Sequence, residues 1–507
     1  MPACPIPRLL PRLWPLAVVL AGLALWQGLG SGTLWGRHIL STPPQILGDL
    51  WQARPLYLLH GAATLRAAAA GFAMGCGTAF LAALAFCRWP LLERALRGIN
   101  IAIYTIPAIV VGPLLVLFLR GDAPQAVLAA LMSYFPAMSV MLMGLRRVDP
   151  GLRALVAVYG GGEAALLRHV RLRGALPEIL AALRLAAPLS VLGAVLGEFG
   201  SGARFGFGAF LLSTLAQANP ARLWGIALAT SAIAGAGYLL FRGPGRDRLA
   251  APLGAALPEG APVGGSRLLW AVVAMALPGL LWALATRLSA LPALIAPPPA
   301  EVLAYLVTPE ARPLWQALAQ TLPLAGLGLL AGMALAMGLA ALGVLAPRLA
   351  RGLMGAALVV QNTPLIAMVP FVVLVFGRGT AASVVLAMLV VFFPAYVVLA
   401  RGMAAVPQAA RDLLAVYGGS RWQLLWRLAL PWSLGHAFTA LRMVAPMALL
   451  GVMVAQWLVT GTGLGNLLNV ARARMDYHAI WGGALLSVLI AGLAYEGVGL
   501  LERRWRR

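Results

Sequence analysis

Leu155-Val156-Ala157-Val158-Tyr159-Gly160-Gly161 returns far down the chain as Leu413-Leu414-Ala415-Val416-Tyr417-Gly418-Gly419. The context returns with it: Pro136 pairs with Pro394, Arg184 with Arg442 and Pro188 with Pro446, and 417 − 159, 394 − 136, 442 − 184 and 446 − 188 each give 258. Solenoid repeats recur at about 20–50 residues, so an echo at this distance marks a duplicated domain. The chain must therefore fold as two like units in one polypeptide.

The 507 residues are 61% hydrophobic and 10% charged, with a mean hydropathy of +0.88. Soluble domains carry about 25% charged residues, so the duplicated unit belongs in a bilayer. A hydrocarbon core about 30 Å thick is crossed by about 20 apolar residues of helix. Such runs fall near 14–30, 62–86, 101–119, 125–145, 183–200 and 222–241, and again near 268–288, 321–346, 354–376, 380–400, 439–459 and 480–500. The expected architecture is an all-α membrane protein of about twelve transmembrane helices, arranged as two tandem six-helix domains. Gly71, Gly75 and Gly77 in one half, with Gly326, Gly328 and Gly332 in the other, suit close helix approach inside a bundle.

The formal net charge of +23 invites a nucleic-acid reading, but its placement argues otherwise. Arginines collect on alternate loops: Arg88, Arg94 and Arg97; then Arg146, Arg147, Arg153, Arg168, Arg171 and Arg173; then Arg242, Arg246 and Arg248. The positive-inside rule puts those loops and both termini in the cytoplasm, and nucleic acid is not an expected partner. The first span follows Arg8 and Arg12 without a small-residue cleavage site and reads as a retained anchor. Gly243-Pro244-Gly245, Pro252, Pro258, Pro262 and Gly264-Gly265 make 242–266 a flexible cytoplasmic linker between a first domain at 1–241 and a second at 267–507. An even number of spans per half gives the halves parallel topology about an axis along the membrane normal.

Enzyme chemistry finds little support. All 38 basic residues are arginine, so no phosphate loop ending in Lys exists and any ATP would be bound by partner subunits. Cys4, Cys76 and Cys87 have neither zinc nor disulfide spacing, and His38, His60, His169, His436 and His478 are scattered; no metal site and no cofactor are expected in this chain.

The two echoing segments, 149–180 and 406–436, are too polar to cross a membrane and too amphipathic for idle loops. Each is broken by Tyr-Gly-Gly, which reads as a helix–turn–helix that either fits a groove on a partner or lies on anionic headgroups. The spacing resembles the coupling motif of ABC importer permeases, an E-A-A triplet followed by a glycine and closed by I-x-L-P. Asp412-Leu413-Leu414, Gly418, Leu428, Leu430 and Pro431 match it with mild substitutions; Ala154-Leu155-Val156, Gly160, Val170, Leu172 and Arg173 keep the spacing but lose the acid and the proline. Glu163-Ala164-Ala165 follows the glycine and is a decoy.

Further pieces resemble the nitrate/sulfonate/taurine branch of binding-protein-dependent permeases. They are Thr64-Leu65 and Thr321-Leu322; Ile106-Pro107 with Pro113 and Thr363-Pro364 with Pro370; Phe135-Pro136 and Phe393-Pro394; and Glu198 and Gln456 ahead of Gly206-Phe207-Gly208 and Gly463-Leu464-Gly465. The resemblance implies a permease subunit of an ATP-driven importer of a small solute: nitrate, a sulfonate such as taurine, or a pyrimidine-type vitamin precursor. It implies two cytoplasmic ATPase subunits seated on the coupling segments, through Tyr159, Gly160, Gly161, Asp412, Tyr417, Gly418, Gly419, Leu430 and Pro431, and an extracytoplasmic solute-binding protein. Arg168 and Arg427 are expected on the partner-facing or lipid-facing side. Within the membrane, ionisable side chains are costly, so Glu198 reads either as a pathway group or as an acid at the outer surface, with Gln456 its counterpart. Pro107 and Pro364 are expected beside the pathway as helix-loosening residues. Arg184 and Arg442 either snorkel or tie the coupling segment to the bundle. A secondary transporter of two six-helix repeats stays open, though it has no need of a repeated cytoplasmic helix pair.

Overall fold

A computed structural model describes residues 22–28, 30–31, 41–105, 108–217, 219–241, 267–288, 292–347, 349–350 and 365–505; the 242–266 segment lies outside them, as do Pro107 and Pro364. The described residues are helical, with no strand among them. In chain order the first half supplies α1 (Pro43–Gln52), α2 (Arg54–Arg88), α3 (Pro90–Thr105), α4 (Ala108–Phe118), α5 (Ala123–Arg146), α6 (Pro150–Val158), α7 (Leu176–Ser201), α8 (Phe207–Gln217) and α9 (Pro220–Leu240). The second supplies α10 (Arg267–Leu288), α11 (Pro299–Leu306), α12 (Arg312–Leu345), α13 (Leu365–Phe376), α14 (Thr380–Ala404), α15 (Gln408–Val416), α16 (Leu430–Ala455), α17 (Gly463–Ala473) and α18 (Tyr477–Trp505). Among the described residues, eight helical segments are long and apolar enough to cross a bilayer, four in each half. They carry α2, α5, α7 and α9, then α12, α14, α16 and α18.

The 101–119 run is shared by α3, which starts earlier at Pro90 and is described to Thr105, and α4, described from Ala108; Ile106 and Pro107 lie outside the described residues.

Each half is organised around one central helix. α5 lies between α2 and α7, and α14 lies between α12 and α16. Small residues set the spacing. A Cβ placed on Gly71 or Gly75 of α2 would fall onto α5 at Ala129 or Ser133, and one on Gly193 of α7 would meet the α5 backbone at Ala129. In the second half Gly328 and Gly332 of α12 meet Ala387 and Val391 of α14, and Gly451 of α16 meets Ala387 from the other side. Lipid gives helices no hydrophobic reason to associate, so close backbone approach of this kind carries the packing. Gly77 and Gly326, expected to share this role, face open space. Each sits off the contact stripe that the glycines four apart, 71 and 75 or 328 and 332, define on their helices.

The repeat survives in the distortions as well. Pro136 and Pro394 sit inside the central helices, and Pro188 and Pro446 inside α7 and α16. Arg184 stacks on the Tyr238 ring of α9 with its guanidinium carbon 4.0 Å from the centroid, and Arg442 stacks on Tyr495 of α18 at 4.2 Å. These arginines tie α7 to α9 and α16 to α18. A guanidinium over an aromatic face is stabilised where it stands.

The halves meet along a seam. Tyr104 of α3 donates to the Met443 carbonyl of α16 at 2.8 Å, Arg97 pairs with Glu496 at 3.2 Å, and Arg472 of α17 donates to the Gly200 carbonyl near the end of α7 at 2.6 Å.

Candidate functional site

The two Tyr-Gly-Gly segments form surface knobs of the same shape. In the first, Asp149 opens α6, its carboxylate accepting the N–H groups of Gly151 at 2.7 Å and Leu152 at 3.3 Å. At the other end Gly160 N–H donates to the Ala157 carbonyl at 3.0 Å and Gly161 N–H to Val156 at 2.8 Å. In the second, Gly418 N–H donates to Ala415 at 3.0 Å and Gly419 N–H to Leu414 at 2.8 Å. This is the crossed pair of bonds that closes a helix through a left-handed residue. The two glycines of each pair serve different needs. Gly160 and Gly418 hold φ of +70° and +67°, where a side chain is strained, whereas a Cβ on Gly161 would strike Val156 and one on Gly419 would strike Leu414.

The closed turn pushes apolar side chains into the open. Val158 and Tyr159 are 82% and 83% exposed; Val416 and Tyr417 are both 82% exposed. Leu155 and Leu413, one turn back, are exposed as well. Paired apolar projections of this kind on a loop mark a contact surface.

Behind each knob the chain re-enters the bundle through a π-turn, Leu167–Arg171 in the first half and Leu425–Ala429 in the second. The second half starts its short helix with Ser420, which accepts the Gln423 N–H while Gln423 caps the Ser420 N–H in return. The first half has Gly162 there and uses charge instead: Glu163 pairs with Arg153 at 3.3 Å and Arg171 at 3.1 Å. The decoy triplet thus braces the turn. The two segments are fastened to the ends of α2 and α12. Arg171 donates to Cys87 Sγ at 3.1 Å, and Arg421 donates to the Leu345 carbonyl at 3.1 Å.

Asp412 lies exposed on α15 and accepts from Gln408 Nε2 at 2.7 Å. Leu430 and Pro431 stand where the π-turn passes directly into α16. In the first half the proline is displaced, not lost: Pro177 stands in the first turn of α7, one helical turn beyond Arg173. The degenerate letters of the first motif therefore build the same knob.

Glu198 and Gln456 are nowhere near the knobs and are not exposed. Glu198 is 2% exposed: the Thr64 hydroxyl donates to Oε1 at 2.7 Å, the Gly208 N–H donates to Oε2 at 2.7 Å, and Thr64 in turn accepts the Phe207 N–H at 2.8 Å. Gln456 is fully buried, with Oε1 2.9 Å from the Thr321 hydroxyl and 3.3 Å from the Gly465 N–H, while Thr321 accepts the Leu464 N–H at 2.9 Å. Each polar side chain pins the start of a short helix, α8 or α17, against α2 or α12. Gly206 and Gly463 lie so close that a Cβ on either would overlap the Glu198 carboxylate or the Gln456 amide. The surface-acid reading of Glu198 is overturned by this burial. Pro107 and Pro364 lie outside the described residues.

Sequence reasoning quoted Thr64 and Thr321 without giving them a task; their signal was a Thr-Leu pair recurring in a glycine-bearing span. It missed His60, whose Nδ1 is 3.1 Å from the Gly206 N–H, and Gln320, which accepts the Gly463 N–H at 3.0 Å. It also missed Arg472 at the seam. No group of three or more metal-ligating side chains is found among the described residues.

Residues 71–243 and again 328–507 match the family described as the binding-protein-dependent transport system inner membrane component. The chain belongs to that family. It carries the family's unit twice, which makes it a multi-pass membrane permease with two fused domains. Relatives of single-unit length agree. A probable ABC transporter permease protein of Haemophilus influenzae is 30% identical over 226 residues, 45% of this chain and 92% of that one. The formylaminopyrimidine transport permease protein ThiX of Halalkalibacterium halodurans is 26% identical over 230 residues, 45% and 92% of the two chains. The taurine transport system permease protein TauC of Escherichia coli is 28% identical over 230 residues, 44% and 83% of the two.

Proposed function

We propose that this permease forms the whole translocation pathway of an ATP-driven importer, its two knobs resting in grooves of two cytoplasmic ATPase subunits. The observation that carries the reading is the knob geometry, repeated at an offset of 258 residues with the same crossed bonds and nearly equal exposure of Tyr159 and Tyr417. A rigid apolar knob gives a partner two fixed points to push, so closure of the ATPase pair reorients the halves and exposes a path alternately outward and inward. The knobs then face the cytoplasm of the inner membrane, together with both termini and the 242–266 linker. ATP is bound by the partners, and a solute-binding protein delivers cargo at the opposite surface. The domains are taken as 1–241 and 267–507.

The cargo is a small solute of the kind named for the relatives, a sulfonate such as taurine or a formylaminopyrimidine-type vitamin precursor. Nitrate ranks behind them. Glu198 and Gln456 act in this reading by fixing α8 and α17 beside the pathway, Pro107 and Pro364 by loosening the third span, and Arg168 and Arg427 by their exposure near the docking surface. The test is co-purification of the intact chain with co-expressed ATPase subunits of the same genome. Tyr159→Ala with Tyr417→Ala is expected to abolish association while membrane insertion stays intact. Association unchanged in that variant, or transport that needs no nucleotide, overturns the reading.

A further inference from the structure

The segment behind each knob shows the same face outward. Positions 163, 164, 168, 169, 173 and 174 are exposed in the first half, and the positions 258 residues on, 421, 422, 426, 427, 431 and 432, are exposed in the second. Both faces carry two arginines, but they differ in aromatic content. The first half carries Glu163, Ala164, Arg168, His169, Arg173 and Gly174; the second carries Arg421, Trp422, Trp426, Arg427, Pro431 and Trp432. Trp422, Trp426 and Trp432 are 58%, 56% and 50% exposed, and the first two rings meet edge to face at 5.7 Å. Three half-exposed tryptophans with two arginines among them and no acid is an uncommon surface for water.

Two observations fix the depth at which this face lies. Arg421 donates to the carbonyl of Leu345, the last residue of the long membrane helix α12, so Trp422 sits level with the end of a span. The helical run from Arg421 continues to Thr460, 40 residues without interruption. At about 1.5 Å per residue that is about 60 Å, against a hydrocarbon core of about 30 Å, so its first turns emerge among the headgroups. Tryptophan is enriched at that depth because its ring is apolar and its N–H is polar, and arginine there is attracted by anionic lipid.

We propose that Trp422, Trp426 and Trp432, with Arg421 and Arg427, form an interfacial anchor seated among anionic headgroups, present behind the second knob and absent behind the first. The aromatic rings lie in the upper acyl region and the guanidinium groups reach the phosphates. The second knob is thereby held to the bilayer as well as to the bundle, whereas the first is held through Glu163, Arg153 and Arg171. The inference does not rest on the ATPase reading.

The test uses the intact chain in nanodiscs of phosphatidylcholine and phosphatidylglycerol, with and without lipid brominated in the upper acyl chain. Subtracting the emission of the Trp422→Phe/Trp426→Phe/Trp432→Phe variant isolates the three rings, and phenylalanine at exposed positions keeps the fold, as a matching elution profile shows. The expected result is loss of the isolated emission to brominated lipid and its protection from aqueous iodide. Quenching by iodide with sparing by brominated lipid overturns the proposal. So does protection from iodide that arises only when ATPase subunits are added, which assigns the face to protein. Failure of the importer reading shows up separately, as lost co-purification with quenching unchanged.

Discussion

The two knobs and the two buried clamps repeat with different fidelity. At the knobs the sequence drifts, losing an acid and moving a proline, yet the backbone bonds agree between halves to the tenth of an ångström. At the clamps the change looks conservative, Glu198 against Gln456, yet the hydrogen bonding is unequal: Glu198 uses both oxygens, whereas Gln456 uses Oε1 alone and leaves Nε2 buried without a partner. Backbone-determined geometry tolerates side-chain drift as long as the glycines stay. Side-chain-determined geometry does not, because each donor and acceptor is specific.

The largest expected effect breaks the knob. Gly161→Leu and Gly419→Leu each force a side chain into Val156 or Leu414, and each is expected to abolish ATPase co-purification; loss with one and not the other would show that the knobs are unequal despite their shape. Next, Glu198→Ala strands the Thr64 hydroxyl and the Gly208 N–H in a buried place and is expected to cost about 2–4 kcal/mol, read as a lower thermal midpoint in detergent. Gln456→Ala strands only the Gly465 N–H, because the Thr321 hydroxyl keeps the Ala317 carbonyl at 2.8 Å, and it removes the unpaired Nε2, so a smaller loss of about 1–3 kcal/mol is expected, and an equal loss would remove the contrast between the clamps. Arg472→Ala deletes one charge-assisted bond to a helix end and should lower stability by about 1 kcal/mol in the same assay. Smallest is Glu163→Ala, whose half-exposed carboxylate contributes at most about 1 kcal/mol, although it braces only the first knob.

Much of this was legible in the sequence because it is local or periodic. Apolar runs gave the long helices, and Tyr159-Gly160-Gly161 gave a turn whose helical end depends on nearby residues alone. What stayed hidden depends on partners far along the chain. Glu198 meets Thr64, 134 residues away, so periodicity offers no hint that its carboxylate is enclosed. Arg184 likewise rests on Tyr238, a ring far along the chain that no local pattern announces.

The bond from Arg472 to the Gly200 carbonyl has a consequence for ancestry. Where a pore is made from two copies of one chain, two-fold symmetry makes every seam contact twice, so a residue that helps on one side is imposed on the other. Here the counterpart of Arg472, at the 257-residue offset that relates Gly463 to Gly206, is Leu215, which has no donor to return the bond, and among the described residues the contact is made once. Joining the halves in one polypeptide released each position from its mirror image, leaving the seam free to acquire a handedness that no homodimer can encode.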